Sequence, residues 1–563
     1  MASIQDRALF FTTSPRSPEK MIPEIRLLCE VFGNQNWNKS SQEAFMDELA
    51  ASDFFEGKGS AKNKALSARD RITRAPKALG FVDLQPKIAL TDSGKALING
   101  THPQEALLRQ LLKFQLPSPY HIENKKIAGN FWVRPYLEIM RLVSEIGSVT
   151  FDEFKIFAVQ LTDYRKFDSV KNAILAFRVE KENHRGKYKQ LVAETWTREV
   201  EAIYSENIAI GAIKTRQSTD LSLKKFISTK KSNLRDYADA CFRYLRYTGL
   251  FSYKGHSLIV SQGKAAEVQY ILDTVERSPV FVDDLQAYKA HLFNASTPLL
   301  YTDNRENLVD LLMRIKSYTR RELSDKTVEE LKDLRDTAIL EQKTTIIREQ
   351  ETRLKSYELY QEVEDTFNEI MSRDNDIFDA PLFLEWNTWR AMTMLDGGNI
   401  QGNFKRDDSG QPLSTAQGNM PDIECDYGDF VLSVEVTLQA GQRQYDSEGE
   451  PVTRHYARLR QKTEKETFCL FIAPTINKAT LEHFFGLNQI KNVTAYGGKP
   501  KIIPLDLGQF MRLIDNSYSY PNHPTPKDVR RFLDSAIAQI EHSADENDWR
   551  DKIQACVDNW LAA

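Results

Sequence analysis

Two carboxylates define the chemistry to look for. Asp422 follows Pro421, and Glu435 lies thirteen residues further on, in Ser433-Val434-Glu435-Val436-Thr437. In an extended strand successive side chains alternate. Phe430, Leu432, Val434 and Val436 then share one face, and Val431, Ser433, Glu435 and Thr437 the other. Glu435 is therefore an acid flanked by apolar residues, a setting in which a carboxylate is uncommon unless it has a cation or a partner. Gly428-Asp429 supplies a tight turn, and pairing strand 423–427 with strand 430–437 around it carries Asp422 towards Glu435. Two such oxygen donors suit Mg2+, which keeps several waters and takes few protein ligands. At such a pair, Mg2+ would activate a water and stabilise charge on a phosphate undergoing hydrolysis.

This is the Pro-Asp…Asp/Glu-x-Lys logic of metal-dependent nucleases, with Thr437 standing where the lysine would be. The chain has no GxxxxGK[ST] phosphate loop, no GxSxG elbow and no HExxH helix, so the chemistries those motifs serve have no carrier here. Without the phosphate loop, ATP-driven translocation is not expected.

The acids must be held by the last 185 residues, in which helix and strand alternate. Asp379-Ala380-Pro381 predicts an N-cap and an early proline opening a helix through Glu385-Trp386 and Trp389 to Leu395, stopped by Gly397-Gly398. The two strands follow, and Gln444, where it has no catalytic role, reads as a hairpin-loop amide. A charged helix is expected over 454–466, a buried strand over 468–473 and another over 501–505. Helix, hairpin, helix, strand, strand is an α/β order.

The rest of the chain differs in charge. Residues 1–300 carry 43 Lys+Arg against 34 Asp+Glu, a net of +9, whereas 301–563 carry 32 against 45, a net of −13. A basic half joined to an acidic half suits a chain that grips a polyanion with one part and concentrates carboxylates in the other. The basic half holds a repeat. Ala68-Arg69-Asp70-Arg71 leads to Gly80 and, fourteen residues on, to Gly94-Lys95-Ala96; Leu234-Arg235-Asp236-Tyr237 leads to Gly249 and, again fourteen on, to Gly263-Lys264-Ala265. With Arg-Asp opening a helix, Gly ending it and two apolar stretches between the glycines, each copy reads as recognition helix, two-stranded wing and next helix. Residues 299–380 contain neither Gly nor Pro and are dense in Glu, Lys, Arg and Leu, so they are expected to form long amphipathic helices. The expected organisation is multidomain α+β: winged-helix-like DNA-recognition subdomains over 1–150 and 151–298, a helical linker over 299–378, and an α/β nuclease domain of the PD-(D/E)xK kind over 379–563.

Several longer stretches carry a resemblance. Pro421-Asp422, Val434-Glu435-Val436-Thr437, Gly441-Gln442-Arg443-Gln444, Ser447-Glu448 through Arg454-His455, and Phe471-Ile472-Ala473-Pro474 closely resemble the AlwI family of type IIS restriction endonucleases. So do 13–20, 68–71, 113–121, 235–239 and Glu385-Trp386-Asn387-Thr388-Trp389, in the same order along nearly the whole chain. The resemblance implies a region that recognises a short asymmetric site in double-stranded DNA and a nuclease domain that cuts a few bases outside it, leaving 5′-phosphate and 3′-hydroxyl ends. It carries over Glu385, Asp422, Glu435 and Glu448 as the acidic set, with Mg2+ held by Asp422 and Glu435. It leaves open which group steadies the attacking water in place of lysine, Gln444 or His455.

For recognition, phosphates fix register and base edges specify sequence, with Arg matched to guanine and Asn or Gln to adenine. The candidates are Arg16, Arg69, Arg71, Arg74 and Lys77 around the first repeat, and Arg235, Arg243 and Arg246 in the second. Lys113, Gln115, Ser118, Tyr120 and His121 join them as a proline-stiffened loop against a groove. Asp70 and Asp236 are expected to cap helices or orient the neighbouring arginines. One acidic cluster hydrolyses one phosphodiester at a time, so double-strand cutting calls for a second copy pairing transiently through the nuclease domain, or for reorientation. A strand-specific nicking enzyme of the same family and a non-catalytic DNA-binding regulator are the alternatives. A cognate DNA methyltransferase is the expected companion. Five scattered cysteines without a CxxC, no apolar leader and no long apolar run point to a reducing cytosol with no membrane partner, and the resemblance implies a bacterial one.

Overall fold

The computed structural model describes the chain except residues 1, 5, 12, 53, 56–62, 124–130, 185–187, 216–217, 373–376, 396, 417, 419, 494–496 and 562–563. It is a mixed α+β protein. Its residues fall into two compact units, Met1–Gln342 with Asp407–Gln411, and Lys343–Arg406 with Pro412–Ala563. All five cysteines are free thiols, and among the described residues no helix is long and apolar enough to cross a membrane.

In the first unit both repeat copies fold as helix, hairpin, helix. Helix Lys64–Arg74 leads to the antiparallel strands Val82–Asp83 and Ala89–Leu90 and then to helix Asp92–Asn99. Helix Leu223–Tyr247 leads to strands Phe251–Lys254 and Ser257–Val260 and then to helix Ala265–Thr274. Val149–Thr150 adds a third strand beside Ser257–Val260. Gly80 and Gly249 adopt φ of +79° and +74°, the left-handed turn a glycine makes without strain. The Arg-Asp pairs, however, sit inside their helices rather than opening them. Asn63 and Ser222 are the caps, their side chains accepting from Leu66 N and Lys225 N, so each helix starts well before its Arg-Asp word.

The breaker-free segment is helical over Arg305–Lys316, Val328–Lys355 and Tyr360–Met371, with 373–376 outside the described residues. It is divided between the units. Leu308, Val309, Leu312, Leu323 and Leu331 form a small core of their own in the first, while Leu354, Leu359, Val363, Phe367 and Ile370 join the main core of the second.

That main core surrounds a five-stranded sheet in the order Ile502–Asp506, Glu466–Ala473, Phe430–Val436, Ile423–Asp426, Asn399–Gly402. The first three strands are mutually parallel and the last two run antiparallel to their neighbours. Parallel neighbours need a crossover. Helix Gln442–Thr463 provides it between Phe430–Val436 and Glu466–Ala473, and packs on both. This helix begins twelve residues before the expected 454, so Gln444 is helical and not a hairpin-loop residue, and Glu448 is helical with it. Gly449 and Pro451 read locally as breakers, but tertiary burial of Val452, Tyr456 and Leu459 overrides them. The Thr453 hydroxyl also donates to the carbonyl oxygens of Gly449 and Glu450, at 3.2 and 2.7 Å. Helix Ala380–Met394 stands where expected, with Pro381 in its first turn. Asp379 takes a left-handed conformation, φ +53°, and its carboxylate does not cap the helix.

Candidate active site

The hairpin register fixes the first pair of acids. Ile423 lies opposite Val434 and Glu424 opposite Ser433, so one further step sets Asp422 against Glu435. Asp422 Oδ2 accepts the Val436 N–H at 2.7 Å. Asn403 holds the approach to the strand, its N–H donating to Asp422 O at 2.9 Å and its Nδ2 to Pro421 O at 2.8 Å. Two helices bring the other acids. Glu385, from Ala380–Met394, accepts the Ala416 N–H at 3.0 Å. Glu448, from Gln442–Thr463, accepts from the Thr437 hydroxyl at 2.9 Å. Thr437, the residue in the lysine position, thus positions an acid.

The four acids feel one another. Burial lifts the Glu385 carboxyl well above the usual range, and the Asp422 charge lifts it further. Burial and then Glu435 do the same to Asp422. Burial and then Glu448 do so to Glu435, against a lowering by Arg454. Carboxylates forced together away from water shed their charge unless a cation compensates. Among the described residues, no three His, Cys, Asp or Glu side chains close on one point as a metal cage would. The mutual repulsion of Asp422, Glu435, Glu385 and Glu448 is of the kind a hard divalent ion, bound by few protein oxygens, would relieve.

The two candidates for the missing lysine separate cleanly. His455 stands seven residues after Glu448, two turns along the same helix face. Its Nδ1 lies 3.0 and 3.2 Å from the two Glu435 oxygens. Burial, then the charges of Arg454 and Arg458, hold the imidazole down to about 4. Where a bound cation keeps Glu435 ionised, the neutral ring donates through Nδ1–H and keeps a lone pair on Nε2. Gln444 is fully buried and committed elsewhere. Its Nε2 donates to Gln439 O and Thr475 O at 2.9 and 2.8 Å, and its Oε1 accepts from Asn477 N at 2.7 Å. It pins two loops, its hydrogen bonds going to backbone groups and not to the acids.

Three contributors were not among the sequence candidates: Arg454, Asn403 and the Thr437 hydroxyl. Arg454 had one visible signal, its place beside His455; Asn403 had none, being 19 residues before Asp422 on another strand's exit.

The recognition candidates scatter between surface and interior. Arg16 pairs with Asp236 and Asp239 at 2.8 and 3.2 Å, and Arg243 shares Asp239 at 3.0 Å. Arg74 pairs with Asp70 at 3.0 Å and reaches the Thr13 hydroxyl at 3.3 Å. Asp70 and Asp236 therefore orient arginines and cap nothing. The segment around residues 13–16 is tied by these contacts to a helix of each repeat. Arg71 is held by buried Glu24 and stacks over Phe55. Arg69 and Arg235 are exposed.

The 113–121 segment is no free loop. Lys113 is fully buried, donating to Gln110 Oε1 and Asn294 O, and burial and then Arg109 lower its ammonium to about 7. Gln115 is fully buried, exchanging hydrogen bonds with the Val280 backbone. Ser118 is buried in a turn with His121, and Tyr120 is buried beneath Lys77, whose ammonium lies 4.8 Å from the ring centre. His121 packs against Phe10 and Phe114, and burial, then Lys77, lower it to about 4. Arg246 is buried beside Asp407, 3.9 Å away. As placed, Lys113, Gln115, Ser118 and Arg246 are part of the interior that supports the surface arginines.

Comparison with known proteins adds two findings. The family model for the AlwI restriction endonuclease matches residues 77–513, which include Asp422, Glu435 and both repeat hairpins. A solved structure, that of the small subunit (R.BspD6I2) of the heterodimeric restriction endonuclease R.BspD6I, is 26% identical over a match covering 35% of this chain and 97% of that one, with a TM-score of 0.30. No curated protein matches the chain.

Proposed function

Because the chain belongs to the AlwI restriction endonuclease family, and so to nucleases that act on DNA, we propose that it is a type IIS enzyme: it recognises a short asymmetric double-stranded site and cuts a few bases outside it, leaving 5′-phosphate and 3′-hydroxyl ends. The observation that carries this reading is the Asp422–Glu435 pair in one hairpin register, flanked by Glu385 and Glu448 and bonded to His455. Asp422 and Glu435 would hold Mg2+, which when bound supplies an activated water and stabilises charge developing on the scissile phosphate.

The chain's own groups do the rest. Glu435 holds the imidazole through Nδ1, so that Nε2 is the atom left to accept a proton from the attacking water. Thr437 fixes Glu448 and the Ala416 N–H fixes Glu385, so both flanking carboxylates are pre-oriented. The backbone bonds to Asp422 set its orientation before DNA arrives.

Recognition belongs to the basic first unit, whose two helix–hairpin–helix repeats support a winged-helix reading. Arg16, Arg69, Arg74 and Arg235, being at the surface, are the first candidates for phosphate or base contact. The nuclease fold is proposed as PD-(D/E)xK-like with the lysine role passed to His455. A second copy supplies the second cut, and a methyltransferase protects the host site. The test is incubation of the purified chain with supercoiled plasmid. Linear product with Mg2+, none with EDTA, and ends that ligate without prior phosphorylation support the reading. Absence of any cutting across divalent metals defeats it, and relaxed circles alone point to a nicking enzyme.

A further inference from the structure

The second unit lies in the acidic part of the chain, yet the helix that delivers Glu448 and His455 runs against that trend. Gln442–Thr463 carries five Lys or Arg against three Asp or Glu, one of which, Glu448, is turned to the site. At 3.6 residues per turn, Arg443, Arg454, Arg458 and Lys462 fall within a sector of about 100° beside the line of His455 and Glu448. The opposite side buries Val452, Tyr456 and Leu459 against the sheet. Arg443, Arg458 and Lys462 are exposed and Arg454 is partly so. From Arg443 to Lys462 the stripe runs ~28 Å along the helix axis. Arg460 does not belong to it: its guanidinium turns to Tyr456 Oη and Lys499 O.

Two of the stripe's ion pairs lie at its solvent edge. Arg454 Nε lies 3.0 Å from exposed Glu450, and Lys462 Nζ lies 3.4 Å from Glu424. Solvent-exposed pairs of this kind contribute little and give way to a stronger anion. The stripe also borders the chemistry, since Arg454 adjoins His455 in the helix and Arg458 stands three residues on, one turn along.

We propose that Arg443, Arg454, Arg458 and Lys462 form a phosphate track for double-stranded DNA. The unit bearing the acids would then hold its own length of backbone and lay the scissile strand beside His455, instead of depending wholly on the affinity of the basic first unit. This rests on the reading that Asp422 and Glu435 cut DNA. The contact carries no sequence information, as suits cleavage outside the recognised bases. Arg454 and Arg458, on either side of His455 along the helix, meet the phosphates nearest the cut.

The test uses the full chain with all four residues changed to Gln, a second variant with the three arginines changed to Lys, and Arg512→Gln as an exposed control in the same unit. Binding to a fluorescent random-sequence duplex in EDTA is followed across salt concentration. Each lost phosphate contact lowers the slope of log affinity against log salt by ~0.9. The glutamine variant is expected to lower the slope by roughly 2–4, with unchanged thermal melting. The lysine variant and Arg512→Gln should keep the slope, and plasmid cutting by the glutamine variant should fail at lower salt than wild type. A smaller fall in slope, or an equal fall in Arg512→Gln, overturns the proposal. If wild type cuts nothing in Mg2+, the nuclease reading fails, while the binding slopes still decide the track.

Discussion

Replacing His455 by Ala removes one imidazole whose Nδ1 is bonded to Glu435 and whose Nε2 is the atom assigned to take a proton. Loss of a positioned general base slows a reaction by ~10²–10⁴-fold, about 3–5 kcal/mol of barrier. The side chain is 13% exposed and lies in the second unit, outside the unit proposed to read the site, so affinity for the site is expected to stay within about twofold. Gln444→Ala should behave in the opposite way. It strips hydrogen bonds from Gln439 O, Thr475 O and Asn477 N, at about 1–3 kcal/mol for each group left buried and unpaired. The folded fraction should nonetheless cut at close to the wild-type rate. The assay is single-turnover cutting of supercoiled plasmid with protein in excess, run beside urea unfolding. Added imidazole should restore part of the rate to His455→Ala and none to Gln444→Ala. A His455→Ala protein that cuts within about tenfold of wild type, or a Gln444→Ala protein of wild-type stability that does not cut, would refute the assignment of roles.

Asp422→Ala should abolish cutting and leave site-specific binding intact, as EDTA should, while Ca2+ supports binding without turnover; a gel-shift showing binding lost in step with cutting contradicts the division of labour. Stability should fall in acid through Glu105. Burial alone would raise its carboxyl, but Arg335 and Lys332 outweigh it and bring it to about 2, below the ordinary 4.5. A depressed acid contributes its stabilisation above the unfolded value and loses it as pH falls from 4.5 towards 2, here about 3 kcal/mol in all. Urea midpoints across that window should drop more steeply for wild type than for Glu105→Gln, and parallel profiles would exclude this source. Double-strand cutting should rise more steeply than linearly with protein concentration, with nicked circles accumulating when protein is scarce; strictly first-order double-strand cutting without a nicked intermediate would rule out transient pairing.

The opposition of Asp422 and Glu435 was legible because antiparallel register around the Gly428-Asp429 turn is arithmetic, and alternation gave the face. The repeat hairpins were legible for a similar reason, since glycine at Gly80 and Gly249 marks a backbone conformation other residues avoid. Helix 442–463 was only half visible. Gly449 and Pro451 signal a break locally, and nothing local reports the sheet that buries Val452 and Tyr456. The same limit hid the separate fates of Gln444 and His455, two polar residues on one helix, one bonded to Thr475 and the other to Glu435. Lys113 and Gln115 looked like groove contacts. Their partners, Asn294 and Val280, lie more than 160 residues away in sequence, so burial could not be read from their own neighbourhood. Helix starts were misplaced where the Arg-Asp words drew attention from Asn63 and Ser222, the residues whose side chains cap.

In the proposed division of labour, one Mg2+-dependent site in the second unit cuts at a fixed distance from bases read by the first. Run-off sequencing of both strands of plasmid digested by the purified chain tests it most directly. Ends are expected at constant offsets to one side of a single short asymmetric sequence, and none with Asp422→Ala. Ends inside the common sequence, ends at scattered positions, or ends that persist in the Asp422→Ala digest would contradict it.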